Sequence, residues 1–432
     1  MIRSKRLSLL LLGVLIFQIV CLPSNQGAQV NDLRPPEISI PTLFFGMHIH
    51  HLLRGASPLT SWPSVPFRAW RLWDAYVTWA DLEPRRGEWD FANLDRYVAL
   101  AEQRHIEILL TLAWSPQWAS ARPSDKGYGP PGVSAEPKNI ADWQNYVRTV
   151  GTRYKGRIHE YEIWNEPNSI GFYTGSIPEL VQLARVAYTT LKQVDPTIVV
   201  SSPPAAGSSS LRWIDQYLKA GGGKYADVIC YHFYVNPAPP EETVPLIEQV
   251  EQIMRNDGVG NKPLWNTEIG WAIQNNEGTV KPAPGRGFNS VVLSEDQAAA
   301  YVARTYVLAW ASGVSRLYWY AWDNGVMGLV DRDGKTLKAP GIAYGQVENW
   351  LVGATMTSCG SDAAGIWTCA ITRPGNYRAW IVWDPDRTVS FPVPALWKVN
   401  EIRDLSGGTR ALGKAKTVEI GPSPLLLVAS GS

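Results

Sequence analysis

The 432-residue sequence predicts an α/β protein, a (β/α)₈ TIM barrel with a small C-terminal antiparallel β-domain. Eight apolar runs rich in β-forming residues alternate with segments of helical periodicity, as in a parallel sheet covered by helices. Long loops rich in Pro and Gly follow several of these runs, and barrel proteins carry their functional loops on that side of the sheet. After about Val352 the pattern changes to short alternating runs separated by turn residues. Eight strand–helix units favour a closed barrel over a doubly wound sheet.

Each barrel element can be assigned from its local pattern. The predicted barrel strands are Leu43–His50, Phe67–Trp73, Ile106–Trp114, Ile158–Trp164, Thr197–Ser202, Ala226–Phe233, Lys262–Glu268 and Val314–Trp322. Capping signals give the helix starts, since a Ser followed three residues later by Glu or Gln satisfies two free backbone N–H groups. Two helices have this signal: Leu180–Val194 after Ser176 and Glu179, and Ala298–Ser312 after Ser294 and Gln297. A third helix, Ile140–Tyr154, is expected to begin after the cap residue Asn139.

The last part of the chain, residues 353–432, predicts a β-domain. Its expected strands are Gly365–Thr372, Tyr377–Asp384, Thr388–Val393, Val399–Leu405 and Val418–Ala429. Cys359 and Cys369 flank a short turn-rich span, which predicts a disulfide across a hairpin in an oxidising compartment. Cys230 lies in an apolar strand and is expected to be a buried free thiol.

The N-terminal residues have the order of a secretory signal. Arg3, Lys5 and Arg6 precede an apolar run, Leu7–Leu22, and small residues follow at Gly27-Ala28. We expect residues 1–28 to be a signal peptide, with an uncleaved anchor as the alternative, and residues 29–352 to form the barrel. The protein is therefore expected to be exported to the periplasm or the medium.

The composition narrows the possible partners. The formal net charge is +1, so no basic excess points to nucleic acid. No His/Cys cluster has metal-ligand spacing, and we expect neither a metal nor an organic cofactor. The chain holds 20 tryptophans and 18 tyrosines, more than a core commonly requires, and their flat faces suit the C–H faces of sugars. These observations favour a sugar ligand, and they leave the oligomeric state open.

Two carboxylates stand at the ends of predicted barrel strands. Glu166, in the motif Asn165-Glu166-Pro167, ends the fourth strand, and Glu268 ends the seventh. Catalytic groups of barrel enzymes occupy these carboxyl ends. Glycosidic cleavage needs such a pair, because one carboxyl group protonates the leaving oxygen while the other attacks the anomeric carbon or directs water to it.

Between about Leu43 and Val352 the sequence resembles clan A glycoside hydrolases, most closely family 39 and its bacterial members that act on exopolysaccharide. The Asn-Glu-Pro motif and the Glu after strand seven carry this resemblance. It implies that Glu166 is the acid/base, that Glu268 is the nucleophile, and that Asn165 binds the sugar 2-hydroxyl.

The resemblance also suggests further contacts. Arg71, near the end of strand two, would orient the nucleophile, as would His232 or Tyr234 at the end of strand six. One of His48 and His50 on strand one would bind the substrate. The aromatic residues expected beneath the sugars are Trp322 after strand eight, Trp114 and Trp118 after strand three, and Trp271 after strand seven.

The sequence thus predicts a retaining glycoside hydrolase that cleaves an oligo- or polysaccharide, with bacterial exopolysaccharide and endo action as the first hypothesis. An exo-acting β-xylosidase or an endo-β-glucanase-like enzyme is the alternative. A non-catalytic carbohydrate-binding barrel is a further one. In the retaining mechanism Glu166 has to carry a proton in the free enzyme while Glu268 is ionised.

Overall fold

A computed structural model describes residues 31–52, 60–276, 291–414 and 416–431. The proposed signal segment, residues 1–28, lies outside these ranges. Within them, none of the helices combines the length and apolar character needed to span a bilayer.

The strands are numbered in chain order. They are β1 (Asn31–Leu33), β2 (Phe45–Met47), β3 (Ala69–Leu72), β4 (Glu107–Leu112), β5 (Glu160–Ile163), β6 (Val199–Ser201), β7 (Ala205–Ala206), β8 (Ile229–His232), β9 (Leu264–Ile269), β10 (Val314–Trp319), β11 (Thr355–Ser361), β12 (Trp367–Arg373), β13 (Tyr377–Trp383), β14 (Val389–Pro392), β15 (Val399–Arg403), β16 (Thr409–Ala411), β17 (Thr417–Ile420) and β18 (Leu425–Ala429).

The helices are numbered in the same way. They are α1 (Trp79–Leu82), α2 (Ala92–Arg104), α3 (Ile140–Arg153), α4 (Ile177–Val194), α5 (Leu211–Lys219), α6 (Thr243–Asn256), α7 (Glu295–Ala311) and α8 (Ala339–Leu351). Short 3₁₀ turns span Thr42–Phe44, Ser208–Ser210, Gly222–Tyr225, Pro240–Glu242 and Ala395–Trp397.

The parallel strands β2 to β10 close into a barrel. Their order is β6-β5-β4-β3-β2-β10-β9-β8-β7, and β10 pairs with β2. The two edges of this order, β6 and β7, are halves of one interrupted strand. β6 pairs with β5 and bridges to Val228, while β7 pairs with β8. Eight strand positions therefore surround the axis, and each one overlaps a strand predicted from the sequence, although β7 and the last residue of β9 lie beyond the predicted ends.

The helix starts agree with their capping residues. The Ser176 and Ser294 side chains each accept a hydrogen bond from the backbone N–H three residues further on. In turn, the side chains of Glu179 and Gln297 accept from the backbone N–H of Ser176 and Ser294. The Asn139 side chain accepts from Ala141 N. These caps fix where α3, α4 and α7 begin, and hence where the preceding loops at the barrel mouth must end.

The interior of the barrel is packed below the mouth. Ala69, Leu109, Cys230, Trp265 and Tyr318 form a buried cluster of side chains from five strands. Because this layer fills the barrel, a ligand can reach only the loop face at the carboxyl ends of the strands. Cys230 is the buried free thiol that the sequence predicts.

The C-terminal domain is a seven-stranded antiparallel sheet, β1-β11-β12-β13-β18-β15-β16, with a two-stranded sheet of β14 and β17 packed beside it. Cys359 and Cys369 are direct cross-strand neighbours on β11 and β12, and their disulfide is confirmed. The predicted run Val418–Ala429 divides into β17 and β18, because Gly421-Pro422-Ser423-Pro424 cannot continue a ladder.

The expected domain boundary needs one correction. Asn31–Leu33, assigned to the barrel portion 29–352, pairs antiparallel with Cys359, Gly360 and Ser361. The start of the described chain therefore belongs to the β-domain sheet. The large core also crosses the boundary, since Met356, Trp367 and Trp383 share one hydrophobic cluster with the barrel helices.

Candidate active site

A cavity of about 590 Å³ opens at the carboxyl ends of the barrel strands. It is lined by Trp73, Asp74, Trp114, Tyr128, Glu166, Ser169, Phe172, Ala206, Gly207, Ser208, Ser209, Tyr234, Val235, Asn236, Glu268 and Tyr320. These residues lie in the last positions of β7 and β9 or follow β3, β4, β5, β7, β8 and β10, so the cavity lies at the carboxyl ends of the parallel strands. Its walls combine aromatic rings with hydroxyl, amide and carboxylate groups, which is the lining expected for a sugar.

Glu268, the fifth residue of β9, has both carboxylate oxygens bound by donors. Arg71 Nη1 donates to Oε2 at 2.9 Å, and the Tyr234 hydroxyl donates to Oε1 at 2.9 Å. Burial and the charge of Glu166 raise the pKa of Glu268 well above its ordinary range, while Arg71 and Tyr234 act in the opposite direction. The site therefore holds a carboxylate whose ionised form depends on two specific donors.

Glu166 follows β5 and faces Glu268. Its φ of 42° lies in the left-handed region, as does that of Trp164 at 59°, so the chain turns sharply here before Pro167. His232 Nδ1 lies 2.7 Å from Glu166 Oε1. Glu166 and Glu268 offer carboxylate oxygens within 4.8 Å of each other. The motif thus brings two carboxylates together across the cavity.

Arg71 links Glu268 to Asn165, the residue before Glu166. Its guanidinium is fully buried and donates from Nε to Glu162 Oε2 at 2.7 Å and from Nη2 to Asn165 Oδ1 at 2.7 Å, besides its bond to Glu268. Although burial disfavours its charge, Glu162 and Glu268 raise the pKa of Arg71 above its ordinary value. One cation therefore orients Glu268 and Asn165 together.

Glu162 was not among the predicted site residues. It is buried at the Arg71 contact and also accepts from Thr111 Oγ1 at 3.1 Å. A signal was present in the sequence, because Glu160 and Glu162 alternate inside a strand that is otherwise apolar. Acidic residues in such a strand require buried cationic partners. Arg316 forms an ion pair with Glu160, as Arg71 does with Glu162.

The strand-one histidines lie behind the cavity. His48 Nε2 bonds Thr267 O at 2.9 Å, and the ring of His50 packs at 4.8 Å from that of Tyr320. Burial lowers the pKa of both imidazoles, so they are neutral near pH 7. Neither is among the residues that line the described cavity. In this structure they support the residues of the wall.

The tryptophans expected beneath the sugars have different positions. Trp114 lines the cavity, and Trp73, Tyr128 and Phe172 extend the same aromatic wall. The other three lie outside the lining of the described cavity, each with its indole N–H bonded to a carbonyl: Trp118 to Glu83, Trp271 to Ala238 and Trp322 to Ser61. These three are packing residues here, and after strand eight Tyr320 faces the cavity instead of Trp322.

Asp74 and Tyr320 form a second polar contact that the sequence did not reveal. The Tyr320 hydroxyl donates to Asp74 Oδ2 at 2.6 Å, and both residues line the cavity. Asp74 has a left-handed φ of 56°, and so has Trp114, at 66°. Such backbone strain clusters at functional sites, where surrounding packing holds it in place.

Glu166, His232 and Glu268 are close enough together to suggest metal ligands. The negative charge of Glu268 is already balanced, however, because Glu268 is ion-paired with Arg71. A cation bound there would also face the buried guanidinium at short range. The donor set fits proton transfer and attack at carbon better than it fits a metal.

Comparison with known proteins agrees with this arrangement. Residues 71–283 match the sequence family described as Glycosyl hydrolases family 39, a span that contains both carboxylates. A family 39 glycoside hydrolase from Bacteroides cellulosilyticus is similar in structure, with 20% identity, a TM-score of 0.70, and coverage of 90% of this chain and 81% of that one.

Two further solved structures have the same architecture. A family 39 β-xylosidase from Caulobacter crescentus has 16% identity and a TM-score of 0.64, with 94% and 98% of the two chains covered. A glucosidase from Croceicoccus marinus has 14% identity and a TM-score of 0.62, with the same coverage. At these identities the likeness concerns the fold, while the sequence match carries the assignment. Residues 71–283 thus match glycoside hydrolase family 39, and the chain is an enzyme that cleaves glycosidic bonds.

Proposed function

We propose that the protein hydrolyses a polysaccharide with retention of configuration, with Glu166 as acid/base and Glu268 as nucleophile. The observation that carries this proposal is the facing pair itself, whose carboxylate oxygens lie within 4.8 Å of one another. Retaining enzymes place their two carboxyl groups about 5–5.5 Å apart, whereas inverting enzymes leave room for a water molecule between them.

The hydrogen-bond donors assign the two roles. Two carboxylates at this separation do not both ionise readily, which favours one shared proton. Arg71 and Tyr234 both donate to Glu268, so the negative charge is best stabilised there. The proton then resides on Glu166, where it can be passed to the leaving group.

The reaction follows in two displacements. Glu268 attacks the anomeric carbon as the glycosidic bond breaks, and Glu166 gives its proton to the departing oxygen. The freed Glu166 carboxylate then removes a proton from water, which attacks the anomeric carbon and releases Glu268. Asn165 Nδ2 is buried without a hydrogen-bond partner among the described residues, and it would donate to the sugar 2-hydroxyl.

The lining of the cavity supports action within a glycan chain, and we propose that the linkage is β. A glycan has to pass between Glu166 and Glu268, so the line joining them separates the two sides of the broken bond. Barrel order puts Trp73, Asp74, Trp114 and Tyr320 on one side. Gly207, Ser208, Ser209 and Asn236 lie on the other. Contacts on both sides favour an endo-acting enzyme, and an exopolysaccharide is the proposed substrate class.

An exo-acting β-xylosidase is the second candidate, since a similar fold belongs to the Caulobacter crescentus β-xylosidase. The reaction products distinguish endo action from exo action. Internal cleavage lowers the viscosity of a polysaccharide early and gives oligosaccharides, whereas exo action releases one sugar at a time. Early release of single xylose units would favour the xylosidase.

Product stereochemistry and azide rescue test the catalytic roles. The wild type should release a product of retained configuration by NMR. With a dinitrophenyl glycoside and azide, Glu166→Ala should yield a glycosyl azide of retained configuration, because both displacements still occur. Glu268→Ala should yield the inverted azide after a single displacement. Inversion by the wild type, or the same anomer from both variants, would contradict the assignment.

We also propose that the protein is exported. The charged, apolar and small-residue order of residues 1–28 supports this, as does the Cys359–Cys369 disulfide, because such bonds persist in oxidising compartments. N-terminal sequencing of protein from cell fractions should find a chain that begins near Gln29 outside the cytoplasm. A full-length cytoplasmic chain would contradict export.

A further inference from the structure

His232 connects the acid/base to the strand that carries the nucleophile. Its Nδ1 lies 2.7 Å from Glu166 Oε1, and its Nε2 lies 3.1 Å from Thr267 Oγ1. The ring is fully buried. Thr267 immediately precedes Glu268 on β9 and is itself fully buried. The three side chains therefore form a continuous hydrogen-bonded series from one catalytic carboxyl group to the neighbour of the other.

The imidazole of His232 is neutral near pH 7. Burial lowers its pKa and nearby Arg71 lowers it further, while Glu166 and Glu162 act in the opposite direction. A neutral imidazole has one N–H, so one ring nitrogen donates while the other accepts. Which nitrogen carries the hydrogen determines what Glu166 Oε1 can do.

The two tautomers have different chemical consequences. With the hydrogen on Nε2, Nδ1 is an acceptor and draws the Glu166 proton onto Oε1, away from any substrate. With the hydrogen on Nδ1, Oε1 is an acceptor only, and the acid proton has to reside on Oε2. The second arrangement is the one that general acid catalysis requires.

The surroundings of Thr267 favour the second arrangement. Among the described residues, His232 Nε2 is the side-chain partner of the Thr267 hydroxyl, and burial raises the pKa of the nearby Cys230 thiol, so no charged sulfur competes for the hydroxyl hydrogen. The Thr267 hydroxyl is then free to donate its own hydrogen to His232 Nε2. His48 Nε2 bonds Thr267 O at 2.9 Å and so holds the backbone of this residue.

We propose that Thr267 is a positioning residue that fixes His232 in the Nδ1–H tautomer and thereby directs the proton of Glu166 to Oε2, toward the glycosidic oxygen. The consequence for turnover rests on the function proposed above. The tautomer itself is a property of the resting protein and can be observed without a substrate.

Nitrogen-15 NMR of histidine-labelled full chain tests the tautomer directly, because the two ring nitrogens have different shifts in the two forms. The chain has six histidines, and the resonance absent from His232→Asn identifies the relevant one. Wild type and Thr267→Ser should show His232 as Nδ1–H, since both keep the hydroxyl. Thr267→Val, which has the same shape without the hydroxyl, should show a substantial Nε2–H population.

A matched control separates this effect from the loss of any buried hydroxyl. Thr111 is a buried strand residue whose Oγ1 bonds Glu162 at 3.1 Å, so Thr111→Val removes a comparable bond elsewhere in the site. It should leave His232 as Nδ1–H. A wild-type His232 in the Nε2–H form, or a Thr267→Val variant that remains wholly Nδ1–H, would overturn the proposal.

Kinetics test the role in proton donation. In Thr267→Val, kcat/KM for a glycoside with a poor leaving group should fall by about tenfold relative to that for an activated one, a part of the 10²–10⁴-fold that general acids contribute. Thr267→Ser should restore the ratio, and Thr111→Val should not change it. A tautomer shift with an unchanged ratio would refute the positioning role. Absence of hydrolysis by the wild type would instead count against the proposed function.

Discussion

Arg71 Nη1 donates to Glu268 Oε2 at 2.9 Å, and the same guanidinium bonds Glu162 and Asn165 through its other nitrogens. All of these groups are buried. A single cation at the end of β3 thus sets the position of the proposed nucleophile and of the proposed 2-hydroxyl ligand. Lysine keeps the charge of arginine but cannot form this three-way planar contact.

Arg71→Lys should therefore lower kcat/KM by about 100-fold, comparable to the loss of one preorganised donor at an active site. The melting temperature should also fall, because Glu162 would lose its paired donor. Arg68→Lys, an exposed change three residues earlier, is the control and should affect neither quantity. Steady-state kinetics and thermal unfolding measure both, and wild-type kcat/KM in Arg71→Lys would contradict the role of the guanidinium.

The pH profile should report the carboxyl group of Glu268. Burial raises its pKa, and the proposed attack requires the ionised form, so activity is lost as the pH falls through this value. The acid limb of kcat/KM should accordingly lie above the ordinary Glu value of about 4.3. Tyr234→Phe removes a donor to the ionised form and should move this limb to higher pH.

The direction of that shift is the test, because the Tyr234 hydroxyl donates to the ionised carboxylate. Tyr188→Phe removes a hydroxyl that bonds Asp227 away from the site and serves as the control. An acid limb that is unchanged, or that moves to lower pH, in Tyr234→Phe would show that the Tyr234 contact does not stabilise ionised Glu268.

Trp114 and Trp118 provide a matched pair for substrate binding. Both follow the same strand, but only Trp114 is among the residues that line the cavity. Trp114→Leu should raise KM for the carbohydrate substrate by about tenfold, since aromatic stacking of this kind contributes roughly 0.5–1.5 kcal/mol beyond area burial. Trp118→Leu should leave KM unchanged while lowering thermal stability. Equal KM effects in both variants would argue against a sugar contact at Trp114.

The disulfide should stabilise the β-domain. Cys359 and Cys369 are separated by 10 residues, and closing a loop of that size removes unfolded-state entropy worth about 2–3 kcal/mol. Replacing both with Ser should lower the free energy of unfolding by this amount under oxidising conditions. The difference should vanish when wild type and variant are compared under reducing conditions, apart from the effect of the Ser side chains.

Much of the fold was predictable because its signals are local. The capping boxes at Ser176 and Ser294 and the eight apolar runs each lie within a few neighbouring residues. β1 was not predictable, because three residues carry no period and their partner strand is about 330 positions away. Pairing over such a distance leaves no trace in the local sequence.

The candidate site also contains residues that the sequence could identify and residues that it could not. Glu166 and Glu268 could be found because each ends a predicted strand. Tyr320 and Trp322 could not be distinguished, since the turn after β10 decides which of two neighbouring rings faces the cavity. Trp118 and Trp271 resembled sugar platforms, yet carbonyl acceptors at Glu83 and Ala238 draw their indoles into the packing.

The pairing of β1 with β11 has a consequence for anyone who shortens this enzyme. A truncation after residue 352 would remove the partner of Asn31–Leu33 and expose Trp350 and Leu351, which are buried with Met356 and Trp383. The catalytic barrel is thus not a detachable module, although all of its proposed catalytic residues precede the cut. A fusion partner joined ahead of residue 31 would emerge from the edge of the β-sheet, because β1 is the edge strand of that sheet.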